Sequence, residues 1–200
     1  MTETTLSHPG QAEPAAFTQQ ELGWLPWLEP LPAEALTERH WAGLVDAGRA
    51  KSPYFMLLAR DPDILGARTR TDKDIFYNTA EGLPRADREL CAAATSRDNG
   101  CIYCASVHAR FAAHHSKRVE DVQHLLDAGV GVDLGARWNA LIAASVALAA
   151  TPIAFGPAQI ARLREVGLDD FEIVDVINSA AFFNWANRLM LSLGQPAAPG

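Results

Sequence analysis

Apolar residues recur at a spacing of three to four along most of the chain after Pro53. This is the period of a helix that buries one face, and no alternating pattern persists long enough to indicate a strand. The pattern therefore predicts an all-α fold. The predicted helices span residues 34–47, 53–60, 62–80, 84–97, 100–114, 118–127, 135–151, 157–165 and 169–192.

Several predicted helix ends coincide with residues that favour such positions. Pro84 suits a first helical turn, and Asp169 is a good N-cap. Gly129 and Gly131 are expected to end one helix, and Gly194 to close the last. These capping and helix-ending residues thus support the helix boundaries that the apolar period predicts.

The chain divides into three parts that differ in composition and in the pattern of apolar residues. Residues 1–16 are rich in Thr, Ser, Pro, Gly and Gln, which predicts a poorly ordered N-terminus. Residues 17–52 form an N-terminal arm in which the apolar run WLPWL, residues 24–28, lies between prolines and needs a surface to pack on. Residues 53–194 carry the helical period without a linker, so we expect one helical domain there.

Composition and charge exclude several classes of function. The net charge is −7 and no cluster of Lys and Arg occurs, so we expect no nucleic-acid partner. The longest apolar stretch, residues 140–150, is interrupted by Ser145 and is too short to cross a bilayer, so no membrane association is expected. Only 3 cysteines occur, and no export signal is recognisable, which favours a reducing compartment and a cytoplasmic location.

The chemistry is concentrated in residues 99–108, which read NGCIYCASVH. In a helix that begins after Gly100, Cys101, Cys104 and His108 occupy positions i, i+3 and i+7 and share one face. Two thiols and an imidazole can therefore meet on this helix.

Asp98 or Asn99 is expected to cap this helix, which would leave Cys101 in its first turn. Free N–H groups and the helix dipole favour a thiolate there. A disulfide across positions i and i+3 fits a helix start, so the Cys101 and Cys104 pair is expected to cycle between dithiol and disulfide.

A carboxylate precedes the cysteines. Glu89 lies among Ala and Leu residues on the preceding predicted helix, and the turn RDNG would fold that helix back beside the cysteines. Glu89 can then approach the thiols or His108 and take up a proton. The simpler interpretation of Glu89 is a salt bridge with Arg85 or Arg88.

These residues resemble a known family. Glu89, the CxxC pair and His108 match in kind and spacing the catalytic motif of the alkylhydroperoxidase D and carboxymuconolactone decarboxylase-like superfamily. The segment RELCAAATSRDNGCIYCASVHARFAA is similar to this superfamily throughout, and the tail AAFFNWANRLMLSLG resembles its uncharacterised peroxidase-related branch. The resemblance covers most of residues 53–194 and implies an alkylhydroperoxidase D-like helical domain.

The resemblance also implies an activity and roles. The protein would be a thiol-dependent hydroperoxide reductase without a cofactor, in which Cys104 attacks the peroxide and Cys101 resolves the sulfenic acid as a disulfide. Glu89 and His108 would form the proton relay. The implied partners are a hydroperoxide substrate, an unidentified dithiol or protein reductant, and further copies of the chain in a trimer or hexamer.

Two features of the sequence bear on the proton relay and on which cysteine attacks first. The characterised alkylhydroperoxidase D has a histidine between its cysteines, where this chain has Tyr103. The helix-start argument makes Cys101 the more activated sulfur, whereas the resemblance makes Cys104 the attacking one. Cys91 is interpreted as a small buried core residue.

Three alternatives accompany the peroxidase interpretation. Cys101, Cys104 and His108 could supply three zinc ligands, but no second CxxC or HxxxH offers a fourth, so no metal is expected. The same fold could host a decarboxylase-type acid-base enzyme, although the classical decarboxylase branch lacks the cysteine pair. A non-catalytic redox-sensing oligomer is the third.

Overall fold

The structure, a computed structural model, describes residues 5–78 and 80–199. Residues 1–4 of the predicted N-terminal tail and residue 79 of the predicted helix 62–80 lie outside the described residues. The described part forms nine α-helices and a small two-stranded sheet, which confirms the all-α fold. The helices are α1 Glu38–Leu44, α2 Pro53–Leu58, α3 Pro62–Tyr77, α4 Arg85–Asp98, α5 Ile102–Ser116, α6 Val119–Ala128, α7 Ala136–Ala149, α8 Pro157–Glu165 and α9 Asp170–Leu193.

Local chemistry explains several helix ends. The Asp169 carboxylate accepts a hydrogen bond from the backbone N–H of Glu172, and the Glu172 carboxylate accepts one from the N–H of Asp169. This reciprocal arrangement satisfies N–H groups at the start of α9. Gly129 ends α6 with a φ of 87°, a conformation that glycine adopts without steric cost. The predicted Asp169 cap and Gly129 stop are confirmed.

The region before α2 differs from the prediction of one helix over residues 34–47. A 3₁₀ turn at Ala33–Ala35 precedes the seven-residue α1, and a second 3₁₀ segment follows at Ala47–Lys51. The helix stops where Val45 takes a φ of 64°, and the Asp46 carboxylate then caps the next segment by accepting from the N–H of Gly48. The apolar period continues through these residues although the hydrogen-bonded helix does not.

The two strands pair a segment near the start of the chain with a segment near its end. β1 (Gly23–Pro26) pairs antiparallel with β2 (Gly194–Ala197), with Trp24 opposite Pro196. Neither segment alternates apolar and polar residues over a useful length, so the sequence gives no strand signal. The sheet fixes the N-terminal arm against the end of α9.

Helix α4 lies at the centre of the fold, packed against α5, α7 and α9. Residues 87–96 of α4 are all buried, so this helix has no solvent face over that span. The small residues Ala92, Ala93 and Ala94 allow its neighbours to approach closely. A functional side chain on α4 is therefore held within the core.

Residues before the arm also contact the rest of the chain. The N–H of Leu6 donates to the Trp27 carbonyl, and the N–H of Ala198 donates to the Ala12 carbonyl, both over 2.9 Å. The division into residues 1–16, 17–52 and 53–194 stays a prediction. Within the described ranges, every helix is too short or too polar to span a bilayer.

Candidate active site

The two cysteines of the CxxC motif lie where α4 turns into α5. Cys101 is itself the N-cap residue of α5, and Cys104 lies in the first turn. The prediction that Asp98 or Asn99 caps this helix is wrong. Asp98 still belongs to α4, and the Asn99 amide donates instead to the side-chain oxygens of Asn184 and Asn187 on α9, because the α4–α5 turn packs against that helix.

The two sulfur atoms lie 2.9 Å apart, and both are free thiols in this structure. A disulfide bond is about 2.05 Å long, so a small approach of the sulfurs suffices to form one. The spacing predicted from the motif therefore brings the two thiols into direct contact.

The environment separates the acidities of the two thiols. The hydrogen bond with Cys104 lowers the pKa of Cys101, against the opposing effect of burial. Burial raises the pKa of Cys104 well above the ordinary thiol range, and the neighbouring Cys101 raises it further. The first thiolate therefore forms at Cys101. The direction agrees with the helix-start prediction, but its main cause is the partner sulfur.

The proposed relay residues form one hydrogen-bonded pair. The Glu89 carboxylate on α4 lies 2.5 Å from Nδ1 of His108 on α5, and Glu89 is 1% exposed. The ring of Phe183 lies 3.8 Å from the imidazole centroid and that of Phe76 lies 5.3 Å away, so the imidazole is wedged in place. The structure thus brings Glu89 to His108 and leaves the second imidazole nitrogen, Nε2, for other partners.

The salt-bridge interpretation of Glu89 is also correct in part. The Nε of Arg85 donates to Oε1 of Glu89 over 2.6 Å, one helical turn away. Arg88 pairs instead with Asp175 on α9. Glu89 therefore uses one oxygen for Arg85 and the other for His108, within the core rather than at the surface.

A cavity of about 170 Å³ connects the relay with one of the sulfurs. Its walls include Glu89, Cys104 and His108, and the last two lie one turn apart on α5. Most of the remaining wall is aromatic, supplied by Tyr54, Phe55, Phe76, Tyr77, Tyr103, Phe111 and Phe183. This cavity is the candidate substrate site.

Cys101 borders a different cavity of about 150 Å³, together with Trp24 of the arm and Gly194 and Pro196 of β2. Tyr103 lines both cavities. Burial raises the pKa of the Tyr103 phenol, so it remains a neutral hydrogen-bond donor at physiological pH and is no substitute for a histidine base. The two sulfurs therefore touch each other but border separate spaces.

Asn187 belongs to the site although no sequence pattern selects it. It is fully buried on α9, where its amide donates to Ser96 and accepts from Asn99. After the dominant effects described above, a hydrogen bond from Asn187 also lowers the pKa of both Cys101 and Cys104. Its sequence context, FFNWANRLM, also contains Asn184 and Arg188, so no local pattern singles out Asn187.

The third cysteine stands apart from the reactive pair. Cys91 is fully buried, and burial raises its pKa to about 12. Its placement in the main apolar core confirms that it is a small buried cysteine. Among the described residues, no three His, Cys, Asp or Glu side chains are clustered as a metal ion requires.

The fold and site together define a class: a helical protein with a buried vicinal dithiol beside a carboxylate–imidazole pair. Residues 62–147 match the carboxymuconolactone decarboxylase family. No protein of curated function matches the sequence significantly.

Solved structures with this fold include two peroxidase-related proteins. An alkylhydroperoxidase AhpD core from Ralstonia eutropha JMP134, an uncharacterized peroxidase-related protein, has a TM-score of 0.70 and 22% identity, and the match covers 85% of this chain and 92% of that one. An uncharacterized peroxidase-related protein from Silicibacter sp. TM1040 has a TM-score of 0.66 and 22% identity over 96% of both chains.

The debrominase Bmp8 is also similar in fold, with a TM-score of 0.66 and 15% identity over 82% of this chain and 88% of that one. The match of residues 62–147 to the family and the shared fold both support an alkylhydroperoxidase D and carboxymuconolactone decarboxylase-like superfamily assignment, as the resemblance stated from the sequence implies. The shared fold confirms the predicted alkylhydroperoxidase D-like helical fold.

Proposed function

We propose that the protein is a cofactor-free, thiol-dependent hydroperoxide reductase. The observation that carries the proposal is the shared cavity: Cys104, Glu89 and His108 line one aromatic space, and the Cys101 sulfur lies 2.9 Å behind the Cys104 sulfur. A hydroperoxide in that space would meet a nucleophile and a proton carrier together. The superfamily assignment is compatible with redox or acid-base chemistry.

In the first step, Cys104 attacks the terminal oxygen of the hydroperoxide. Because burial keeps Cys104 protonated, the attack needs a base, and His108, one turn further along α5 and held by Glu89, supplies it. An S–O bond forms and the O–O bond breaks. His108 returns the proton to the departing alkoxide, so the products are an alcohol and a Cys104 sulfenic acid.

In the second step, Cys101 attacks the sulfur of the sulfenic acid. Cys101 loses its proton as it attacks, and the hydroxide that leaves is protonated to water. An S–S bond forms, and an external dithiol then reduces it to regenerate both thiols. Under this assignment, which follows the resemblance, the more acidic thiol in the reduced protein is the resolving one, and the attacking thiol depends on His108 for its activation.

A second candidate is reductive dehalogenation of a small aromatic compound. The debrominase Bmp8 has this fold, and a variant of it is known in complex with 2,3,4-tribromopyrrole. The aromatic wall of the Cys104 cavity suits a flat ring. The atoms and electrons of this reaction also balance. The dithiol supplies two electrons and two protons, which convert a bromoarene into an arene and hydrogen bromide, and the dithiol becomes a disulfide.

The experiment is turnover of cumene hydroperoxide by the reduced protein with dithiothreitol and, in a separate sample without reductant, mass spectrometry of the protein after one equivalent of the peroxide. We expect peroxide consumption, a protein two hydrogens lighter, and Cys91 still alkylatable after unfolding. Cys104→Ser should abolish turnover, whereas Cys101→Ser in the sample without dithiothreitol should stop after one event with a sulfenic acid that dimedone traps. Cys91→Ala is the control and should turn over normally.

The alternatives give different results. Bromide release from tribromopyrrole without peroxide turnover would favour the dehalogenase. A disulfide that forms once and is never recycled would favour a redox sensor, and activity that survives both cysteine substitutions would favour an acid-base enzyme. A disulfide containing Cys91 would contradict the assignment of the reactive pair.

A further inference from the structure

A buried arginine in the Cys104 cavity has donors that the protein does not use. Arg68 on α3 is 8% exposed and lines this cavity. Its Nε and Nη1 atoms are buried without a hydrogen-bond partner among the described residues. The Asp72 carboxylate lies 3.6 Å from Nη1, which is close enough for an ion pair but too long for a hydrogen bond.

The surrounding charges leave this part of the cavity positive. Asp72 also faces Nη2 of Arg49 over 3.3 Å, so one carboxylate is shared between two guanidinium groups. Asp72 and Arg68 both line the cavity, and Glu89, the other carboxylate in the wall, is neutralised by Arg85. The positive charge of Arg68 is therefore the one that carboxylates in this cavity offset least.

Aromatic contacts do not account for the unused donors. The Arg68 guanidinium carbon lies 5.4 Å from the Phe55 ring centroid and 5.3 Å from that of Phe182. Such contacts engage the charge of the guanidinium, but they satisfy no hydrogen bond of its N–H groups. The rings position Arg68 and leave its hydrogen-bonding capacity available.

A second unused donor lines the same cavity. The hydroxyl of Tyr54 on α2 is buried without a partner among the described residues. Burial raises the pKa of Tyr54, so it stays a neutral phenol that can donate a hydrogen bond. A buried polar group without a partner is destabilising, and a ligand that accepts from both donors would remove that cost.

We propose that Arg68 and Tyr54 form a carboxylate-binding subsite, so that the substrates are small aromatic hydroperoxides that carry an acidic group. The cavity volume of about 170 Å³ suits one six-membered ring, since a cavity of about 150 Å³ in another protein holds benzene. The claim that the reacting group is a hydroperoxide rests on the proposed function, whereas the carboxylate-binding subsite does not depend on it. Arg68 and Tyr54 would bind the substrate and hold it by its acidic end.

Binding of benzoate tests the subsite without any turnover. Titration calorimetry should show benzoate binding at least tenfold more tightly than benzamide, its neutral isostere. Arg68→Met should abolish the difference, Arg68→Lys should retain part of it, and Tyr54→Phe should reduce it. The control is Arg70→Met, an exposed arginine on the same helix, which should bind like the wild type. Equal binding of benzoate and benzamide by the wild type would overturn the proposal.

Turnover measurements test the proposed class of substrate. We expect the ratio of kcat/KM for para-carboxylated cumene hydroperoxide to that for cumene hydroperoxide to fall at least tenfold in Arg68→Met and several-fold in Tyr54→Phe. An unchanged ratio in both folded variants would overturn the substrate class. If neither peroxide is consumed while Arg68-dependent benzoate binding persists, the subsite is supported and the peroxidase proposal is the part that fails.

Discussion

Glu89 shows at the residue scale how one side chain serves both the fold and the site. It is buried in α4, where one carboxylate oxygen meets Arg85 and the other meets His108. A buried carboxylate that only stabilised the protein would need no imidazole partner beside a thiol. The pairing with His108 therefore makes a prediction that separates the two roles.

We expect Glu89→Gln to slow the oxidation of Cys104 by cumene hydroperoxide by about 10²-fold, because glutamine keeps the shape but cannot hold the proton. His108→Gln should cause a similar loss. The double variant should lose little more than either single variant, because both residues serve one proton path. Stopped-flow measurement of thiol oxidation across pH checks this.

Glu165→Gln, at an exposed carboxylate on α8, is the matched control and should react at the wild-type rate. Circular dichroism should show that all the variants remain folded. An unchanged rate and pH profile in Glu89→Gln would mean that the carboxylate is structural.

The structure has the predicted contact between Cys101 and Cys104 and the predicted approach of Glu89 to His108, whereas other residues of the site were not predicted from the sequence. Cys101, Cys104 and His108 follow from helical spacing, which is a local property. The unused donors of Arg68 and Tyr54 follow from contacts between separate helices, and Asn187 reaches the cysteines from nearly 90 residues away along the chain. No spacing rule within one helix reports such contacts.

At the scale of elements, the link between α4 and its surroundings depends on Arg88. Its guanidinium donates to the carbonyls of Leu83 and Glu81 and lies 2.9 Å from the Asp175 carboxylate on α9. It also donates to the carbonyl of Ile75 in α3. One side chain therefore holds the end of α3, the turn before α4, and α9.

We expect Arg88→Met to lower the free energy of unfolding by about 3 kcal/mol, since it leaves the Asp175 carboxylate buried without its cation. Urea denaturation followed by circular dichroism measures this. The control is Arg162→Met, which removes an exposed pair with Glu165 and should change stability by less than about 1 kcal/mol. Equal stabilities of the two variants would show that the Arg88 contacts are not needed for the fold.

The elements also show which boundaries can be foreseen. Helices α2 to α9 were predicted to within a few residues, because their ends carry local signals such as Asp169 and Gly129. The β1–β2 sheet was not predicted, because its strands lie about 170 residues apart in sequence and neither carries an alternating apolar pattern. The break at Val45 was missed because the apolar period does not record it.

At the scale of the whole molecule, α9 leaves apolar surface uncovered. Trp185 is 40% exposed, and it borders an apolar groove of about 100 Å³ with Leu58, Ile64 and Leu189. Large aromatic residues beside such grooves are typical of subunit interfaces. The homo-oligomer expected from the sequence, a trimer or hexamer, therefore has a definite candidate surface.

We predict that the protein is a homo-oligomer and that Trp185→Glu dissociates it, because a carboxylate in a closed apolar interface would lose its hydration without gaining a partner. Light scattering at micromolar concentration should give three or six times the chain mass for the wild type and a smaller mass for the variant. Ile153→Glu is the control, since Ile153 is a more exposed apolar residue away from this groove and should leave the mass unchanged. A wild-type protein with the mass of one chain would contradict the prediction, whereas an oligomer that survives Trp185→Glu would place the interface elsewhere.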